Sequence, residues 1–493
     1  MNSSSIGSRL FALSLLTVFS PLNGRDHDSH YIQQEDLPVV IKKSGIYYIE
    51  ENLNYCKSGA AITIKDAHNV KLVFKARDLK LNHPNATGIL VKDSSEVTIE
   101  NDSIINVGSV PSTGNGIHIV NSNIVRVEQL VILDNFYGVL VESSVGVVID
   151  GCIFTDNGIG VKFASTKVGK NRDCKVVNTA FTNSTGMTNL FAEQIDGFVI
   201  EESSFSSTGS TATVNLAQLG GDASDANAIF SNALVKNSTF TNKSANKNIE
   251  GLYIYNGNGF VVDTVLIEID NSGTCFEADL SGIHIGNGTS TIDSSLSSKA
   301  INGIISNTLV QGPATDGYYP DGGTDSVTII NCRATGARKH GIFLAGTTNS
   351  VVIGCTTTGN GTATKPNDLP KDCDPTVFPI GSGIDVGQTS LFNAILDNIS
   401  SGNVVAGVDI DAPTPDHTDP NANNLIQNNK VFNNLYGIRD QGVNNQVWYN
   451  SAFDNSANYS NAAVSKIAVT NKPGCPTVTG ENIDADRTTC FKL

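Results

Sequence analysis

A glycine followed by an apolar–x–apolar triplet returns again and again along the chain. It reads Gly88-Ile89-Leu90-Val91, Gly116-Ile117-His118-Ile119, Gly138-Val139-Leu140-Val141 and Gly160-Val161-Lys162-Phe163. It comes back as Gly251-Leu252-Tyr253-Ile254, Gly282-Ile283-His284-Ile285, Gly341-Ile342-Phe343-Leu344, Gly383-Ile384-Asp385-Val386, Gly407-Val408-Asp409-Ile410 and Gly437-Ile438-Arg439. A second apolar triplet follows each first one, as in Val97-Thr98-Ile99, Val125-Arg126-Val127 and Val351-Val352-Ile353. A third follows that, as in Cys152-Ile153-Phe154 and Thr179-Ala180-Phe181. Alternation over three residues is the period of a short strand with one face buried. Three such strands in about 22 residues make one turn of a triangular coil, and self-similarity at that period marks a solenoid.

Coils whose glycine has drifted are placed by their second and third strands. Leu190-Phe191-Ala192, Val214-Asn215-Leu216 and Tyr318-Tyr319 then become first strands. The count reaches about fourteen three-strand coils, each burying its apolar edges only against its neighbours. At roughly 4.8 Å per coil the rod is about 65 Å long. The prediction is an all-β, single-domain solenoid over residues 59–460, with an N-terminal cap at 31–58 and a C-terminal cap or tail at 461–493. Asn135, Asn157, Asn183, Asn242, Asn360, Asn434 and Asn455 follow third strands, where a left-handed corner and amide bonding along the rod suit them.

Residues 1–24 read as an export signal: Arg9, an apolar run over 10–19, then Pro21 and Gly24. The run is too short to cross a bilayer and no later segment is apolar enough; the alternative is a buried N-terminal strand. A secreted or cell-surface location follows. Nine cysteines are an odd number. Cys475 and Cys490 are candidates to close the tail, and Cys332 with Cys355 occupies equivalent places in consecutive coils, as a disulfide or as stacked thiols. The formal net charge of −16 argues against a nucleic-acid partner. It also argues against direct capture of a polyuronate unless calcium bridges the two.

The middle residue of each first strand points outward. From Tyr253 through His284 and Tyr319 to Phe343 that position holds rings on consecutive coils, and Asp385, Asp409 and Arg439 follow. Long loops near 164–173, 217–231, 286–300, 359–382 and 411–423 flank this face. They would wall a groove in which Tyr253, His284, Tyr319, Phe343 and Arg439 bind an extended polysaccharide. Alternatively the rings form a satellite core under the loops. Asp368, Asp372 and Asp374 in one loop, and Asp411, Asp416 and Asp419 in another, flank Asp385 and Asp409. Asp385, Asp409, Asp411, Asp416 and Asp419 are hard-oxygen candidates for calcium, with solvated acidic loops as the alternative.

The repeat resembles the pectin-lyase-like superfamily of right-handed parallel β-helices over roughly residues 60–460. That resemblance implies a right-handed parallel β-helix and leaves lyase, hydrolase, epimerase and adhesin roles open. It also implies the calcium-bridged mode by which pectate lyases hold an acidic sugar. Gly317-Tyr318-Tyr319-Pro320-Asp321, followed by Arg338-Lys339-His340-Gly341-Ile342, resembles the alginate C5-epimerases. The family's Asp-Pro-His-Asp reads Tyr319-Pro320-Asp321-Gly322 here, and its arginine falls on Gly346. Asp321, Asp325, Arg338, Lys339 and His340 remain as a candidate acid–base cluster. No polygalacturonase signature is present. The functional expectation is a secreted or surface protein that binds, and cleaves or modifies, a polysaccharide; the alternative is a non-catalytic structural or adhesin-like protein.

Overall fold

The computed structural model describes residues 29–106, 114–164, 169–185, 188–193, 195–207, 215–221, 230–242, 250–270, 281–286, 300–361, 381–412, 420–461 and 466–468. The export signal, Asp368, Asp372, Asp374, Asp416, Asp419, Cys475 and Cys490 lie outside those residues, as do residues 165–168 of the first long loop and most of each of the other four.

The first strands stack in chain order into one sixteen-stranded parallel sheet, running from Val39–Ile41 to Ala457–Asn461. We call it the face sheet. The second and third strands of every coil build the other two sides, joined as one thirty-stranded parallel sheet because Ser95–Asn106 and Asn123–Leu133 run straight through the corner between them. Pairing always links one coil to the next, as in Ile117↔Val139↔Val161. This is a single-domain, right-handed parallel β-helix. The coil count exceeds the expected fourteen because pairing starts earlier and ends later than the repeat spacing shows. Ser29–Ile32 already pairs with Gly45–Ile49, and Lys466–Ala468 pairs with Gln446–Trp448.

The recurring glycine has a steric cause. A Cβ on Gly116 would stand 2.6 Å from the carbonyl oxygen of Gly138 one coil further on, and Gly138, Gly251 and Gly317 meet the next coil's carbonyl more closely still. Only glycine allows the coils to approach at that corner. Inside, like stacks on like. Phe154, Phe181, Phe205 and Phe240 form a column with centroids 4.9, 4.7 and 4.7 Å apart and planes within 9°. All four are buried.

Asparagines form interior ladders. The Asn403 amide group donates to Asn434 Oδ1 at 3.0 Å, and Asn403 Oδ1 accepts from the Asn360 backbone N–H at 3.1 Å. Asn393–Asn424–Asn445 and Asn398–Asn429–Asn450 run in parallel. The left-handed corner residue is the one before the ladder position: Gly402 (φ 66°) precedes Asn403, Asn433 (φ 57°) precedes Asn434, and Asp454 (φ 55°) precedes Asn455. Asn183 (φ 55°) is itself left-handed, so asparagine does both jobs at different positions. Cys332 and Cys355 are free, buried thiols, with the Cys332 backbone N–H donating to Cys355 Sγ at 3.4 Å. No helix among the described residues is long and apolar enough to cross a membrane.

Candidate functional site

Register on the face sheet fixes which side chains share its outer surface. The outward column runs Lys162, Phe191, Gln218, Tyr253, His284, then Tyr319, Phe343, Asp385, Asp409 and Arg439. Gln218, not Asn215, holds its place in that coil. Two overlapping triplets compete there, and the pairing of Leu190 with Ala217 selects the second. A further column stands at the residue before each strand glycine. Backbone N–H groups of Gly251, Gly282, Gly317 and Gly341 donate to the carbonyls of Ser281, Asp316, His340 and Ser382, which stacks Glu250, Ser281, Asp316, His340 and Ser382 in order.

The rings form a continuous ladder. Centroids of Tyr253 and His284, and of His284 and Tyr319, are 4.7 Å apart, and Tyr319 and Phe343 are 5.4 Å apart. The ladder is partly covered. Tyr319 is 4% exposed and His284 8%, while Tyr253 and Phe343 are half-buried. His284 also belongs to an ionic cluster. Its Nδ1 donates to Glu250 Oε1 at 2.8 Å, and its Nε2 lies 3.6 Å from Asp321 Oδ2. Burial opposes the charged imidazolium, but Glu250 and then Asp321 lift its pKa to about 9.

Further along the face the carboxyls of Asp385, Asp409 and Asp411 bring oxygens within 4.8 Å of one another. Arg439 closes a fork on Asp409, with Nε to Oδ1 at 2.7 Å and Nη2 to Oδ2 at 2.5 Å, and its Nη2 stands 3.7 Å from Asp411. Ser382 Oγ donates to Asp409 Oδ2 at 3.0 Å. Asp385 lies behind them with Oδ1 buried and without a partner among the described residues. Its Oδ2 is 3.1 Å from His340 Nδ1. That nitrogen already accepts the Ser382 backbone N–H at 3.1 Å, so it presents a lone pair and the ring proton sits on Nε2. An oxygen facing a lone pair at this distance is held favourably only if it carries the proton. Burial, reinforced by Asp411 and Asp409, pushes Asp385 far up, while burial, then Lys339 and Arg439, pushes His340 down to about 3. A protonated acid beside a neutral imidazole satisfies both. Burial also raises Asp409, and the Arg439 fork and the Ser382 hydroxyl oppose the rise. Asp411 stands at the mouth with 39% of its side chain exposed, and the crowded pocket, then Asp409, still push it up to about 7.

The expected acid–base set divides between these clusters. Asp321 joins His284, and His340 joins Asp385. Asp325 belongs to neither. Its Oδ1 accepts from Thr348 Oγ1 at 2.7 Å and Asn349 Nδ2 at 2.8 Å. The same corner bonding recurs at Asp196 with Ser231 and Asn232, and at Asp263 with Ser306 and Asn307. Asp325 is therefore a corner tie. Arg338 is buried, with its pKa lowered by that burial, and the backbone N–H groups of Arg338 and Lys339 bond Ala314 and Thr315. Glu250, Asp316 and Ser382 were not among the expected residues. Their signal is the position before the strand glycine, a column that the apolar–x–apolar pattern does not cover.

Three of the five carboxylates expected for calcium converge. Calcium takes six to eight oxygens and ionised carboxylates. Among the described residues the pocket offers three carboxyls, one already forked to a guanidinium and one holding its proton against His340. Those three fall short of calcium's six to eight oxygens, and the other two expected ligands, Asp416 and Asp419, lie outside the described residues.

The family described as right handed beta helix region matches residues 33–208. None of the proteins with curated functions matches the chain. Among solved structures, the Dettilon tailspike protein is 13% identical with a TM-score of 0.39, over 78% of this chain and 60% of its own. The tailspike protein gp49 from Pseudomonas phage LKA1 is 11% identical with a TM-score of 0.39, over 72% and 50%. The A-module of the Azotobacter vinelandii mannuronan C-5 epimerase AlgE4 is 12% identical with a TM-score of 0.33, over 85% and 89%. The chain thus spans less than two thirds of either tailspike. Likenesses this distant speak to neither activity nor ligand.

Proposed function

We propose that this right-handed parallel β-helix protein binds an extended polysaccharide along its face sheet and cleaves it at the Asp385–Asp409–Asp411 pocket. One observation carries the reading: rings spaced by the coil repeat lead, in a single outward column, into a pocket where the oxygens of Asp385, Asp409 and Asp411 converge beside His340 and Arg439. A repeat near 4.8 Å suits an extended chain of sugars, and half-buried rings such as Tyr253 and Phe343 suit sugar faces. Cleavage of a glycosidic bond needs one group that gives a proton and one that stays charged. Asp385 with His340 is suited to the first role, and Asp409, held by Arg439, to the second. The apolar run over 10–19 supports export, which places the protein where such polymers occur.

The test is reducing-end release from a panel of neutral, acidic and amino-sugar polysaccharides by the purified chain. Turnover that falls at least about 100-fold in Asp385→Asn and Asp409→Asn supports cleavage at this pocket. Binding in affinity electrophoresis without release removes cleavage and keeps recognition. The burial of Tyr319 and His284 favours a second reading, a non-catalytic structural protein whose ring ladder is a satellite core. It predicts that Tyr253→Ala with Tyr319→Ala lowers stability and leaves every polysaccharide unbound, as in the parent.

A further inference from the structure

We propose that the Asp385–Asp411 side of the pocket recognises the ammonium group of an amino sugar, so that the polymer in the groove carries free amines rather than carboxylates. The inference rests on the polysaccharide reading above and names its substrate class.

Four observations support it. First, the pocket already holds a nitrogen cation: Arg439, from the next coil, is forked on Asp409. The local chemistry therefore selects N–H donors of positive charge; Arg439 is hydrogen-bonded to Asp409 and meets Asp411 only at 3.7 Å. Second, Asp385 Oδ1 is a buried acceptor with no partner among the described residues, on a residue 2% exposed. A buried oxygen left without a donor costs about 1–3 kcal/mol, which a ligand N–H would recover. It remains an acceptor even while Oδ2 carries the proton toward His340. Third, the pocket opens at the corner where a ligand must enter, since Asp411 keeps 39% of its side-chain surface and Arg439 26%. An ammonium there would donate to Asp411 at the mouth and to Asp385 Oδ1 behind it, and three N–H bonds on one nitrogen suit two such acceptors and a groove hydroxyl.

Fourth, basic side chains of the outward column among the described residues are already paired. His118 faces Glu142 at 2.6 Å, Lys162 faces Glu193 at 2.8 Å, His284 lies between Glu250 and Asp321, and Arg439 is forked on Asp409. Each of these basic side chains already has a carboxylate beside it, and the whole chain carries −16. A polymer of carboxylates would enter a field of its own sign, whereas a polymer of ammonium groups would be drawn in, most strongly at low salt.

The experiment is isothermal titration of the full chain with a glucosamine hexamer and with the same hexamer fully N-acetylated, at low and high salt. The glucosamine hexamer should bind at least about tenfold tighter, and the preference should shrink as salt rises. Asp411→Asn, at the exposed mouth, should remove most of the preference without lowering the melting temperature. Asp385→Ala, which removes the buried acceptor, should weaken the same ligand, while Asp385→Asn, which keeps an acceptor oxygen there, and Asp325→Asn should leave it nearly unchanged. Equal or tighter binding of the N-acetylated hexamer, or of alginate, overturns the inference and leaves polysaccharide binding intact. Calcium alone binding the pocket and displacing the hexamer also overturns it. If no member of a panel spanning chitosan, laminarin, mannan, pectin and alginate binds, the polysaccharide reading itself fails, and that outcome is distinct from loss of amine preference.

Discussion

The His284 cluster makes the stability of the rod depend on pH in a defined window. In the folded chain the imidazolium is held between Glu250 and Asp321 and sandwiched by Tyr253 and Tyr319. Its pKa is lifted from 6.5 to about 9. A group whose folded pKa is raised contributes stability that is fully present below its unfolded pKa and is lost as pH climbs through the folded one. His284 therefore stabilises the fold below pH 6.5, loses that contribution between 6.5 and 9, and adds none above. The interval corresponds to roughly 3 kcal/mol. His284→Gln keeps a hydrogen-bonding side chain of similar reach but no titratable charge, and it leaves the buried Glu250 carboxylate without its cation. Urea denaturation of parent and variant at several pH values between 5 and 10 separates the two. Across the window the parent should lose about 3 kcal/mol more than His284→Gln, which should start lower. Asp411, raised to about 7, and Asp385, raised far above the usual carboxylate range, also titrate, but their slopes are present in both proteins and cancel in the difference. A parent that is flat from pH 6.5 to 9, or a variant with the parent's slope, refutes the ionic assignment.

Other elements give further tests. Arg439→Met strips the buried Asp409 of its fork and should cost about 3–5 kcal/mol in denaturant melts, while Arg439→Met with Asp409→Leu should regain most of it. Phe205→Ala opens the centre of the four-ring column and should cost about 3–5 kcal/mol, against under 0.5 for the surface change Lys80→Ala. Asn403→Ala breaks the ladder between Asn360 and Asn434 and should cost about 1–3 kcal/mol, with hydrogen exchange accelerating first in the coils on either side.

The architecture was legible in the sequence because its cause is local and repeated. Every coil needs apolar–x–apolar strands and a glycine where the next carbonyl passes too close for a Cβ, so a single coil teaches the rule for all. Asn215 shows the limit of that rule. Two overlapping triplets satisfy it equally, and only the pairing of Leu190 with Ala217 decides between them. The ends were harder, because Ser29–Ile32 and Ala457–Asn461 pair in register without the glycine signature. The ring ladder and the Asp385–Asp409–Arg439 run were visible as one outward column. What that column touches was not visible, since Glu250, Asp316 and Ser382 come from a neighbouring position that carries no periodic hydrophobic mark. Asp321 and Asp325 are four residues apart in sequence yet serve different ends, one facing His284 and the other tying a corner. Adjacency along a solenoid strand does not imply adjacency on its surface.

Radical footprinting with and without the polysaccharide that affinity electrophoresis selects tests the central claim most directly, because it reports where on the rod the polymer lies. The account predicts that Tyr253, Phe343, Asp411 and Arg439 become protected while Tyr31, Phe392 and Trp448, exposed elsewhere on the described surface, stay reactive. Protection away from the face sheet, or no protection at saturating polymer, would contradict it.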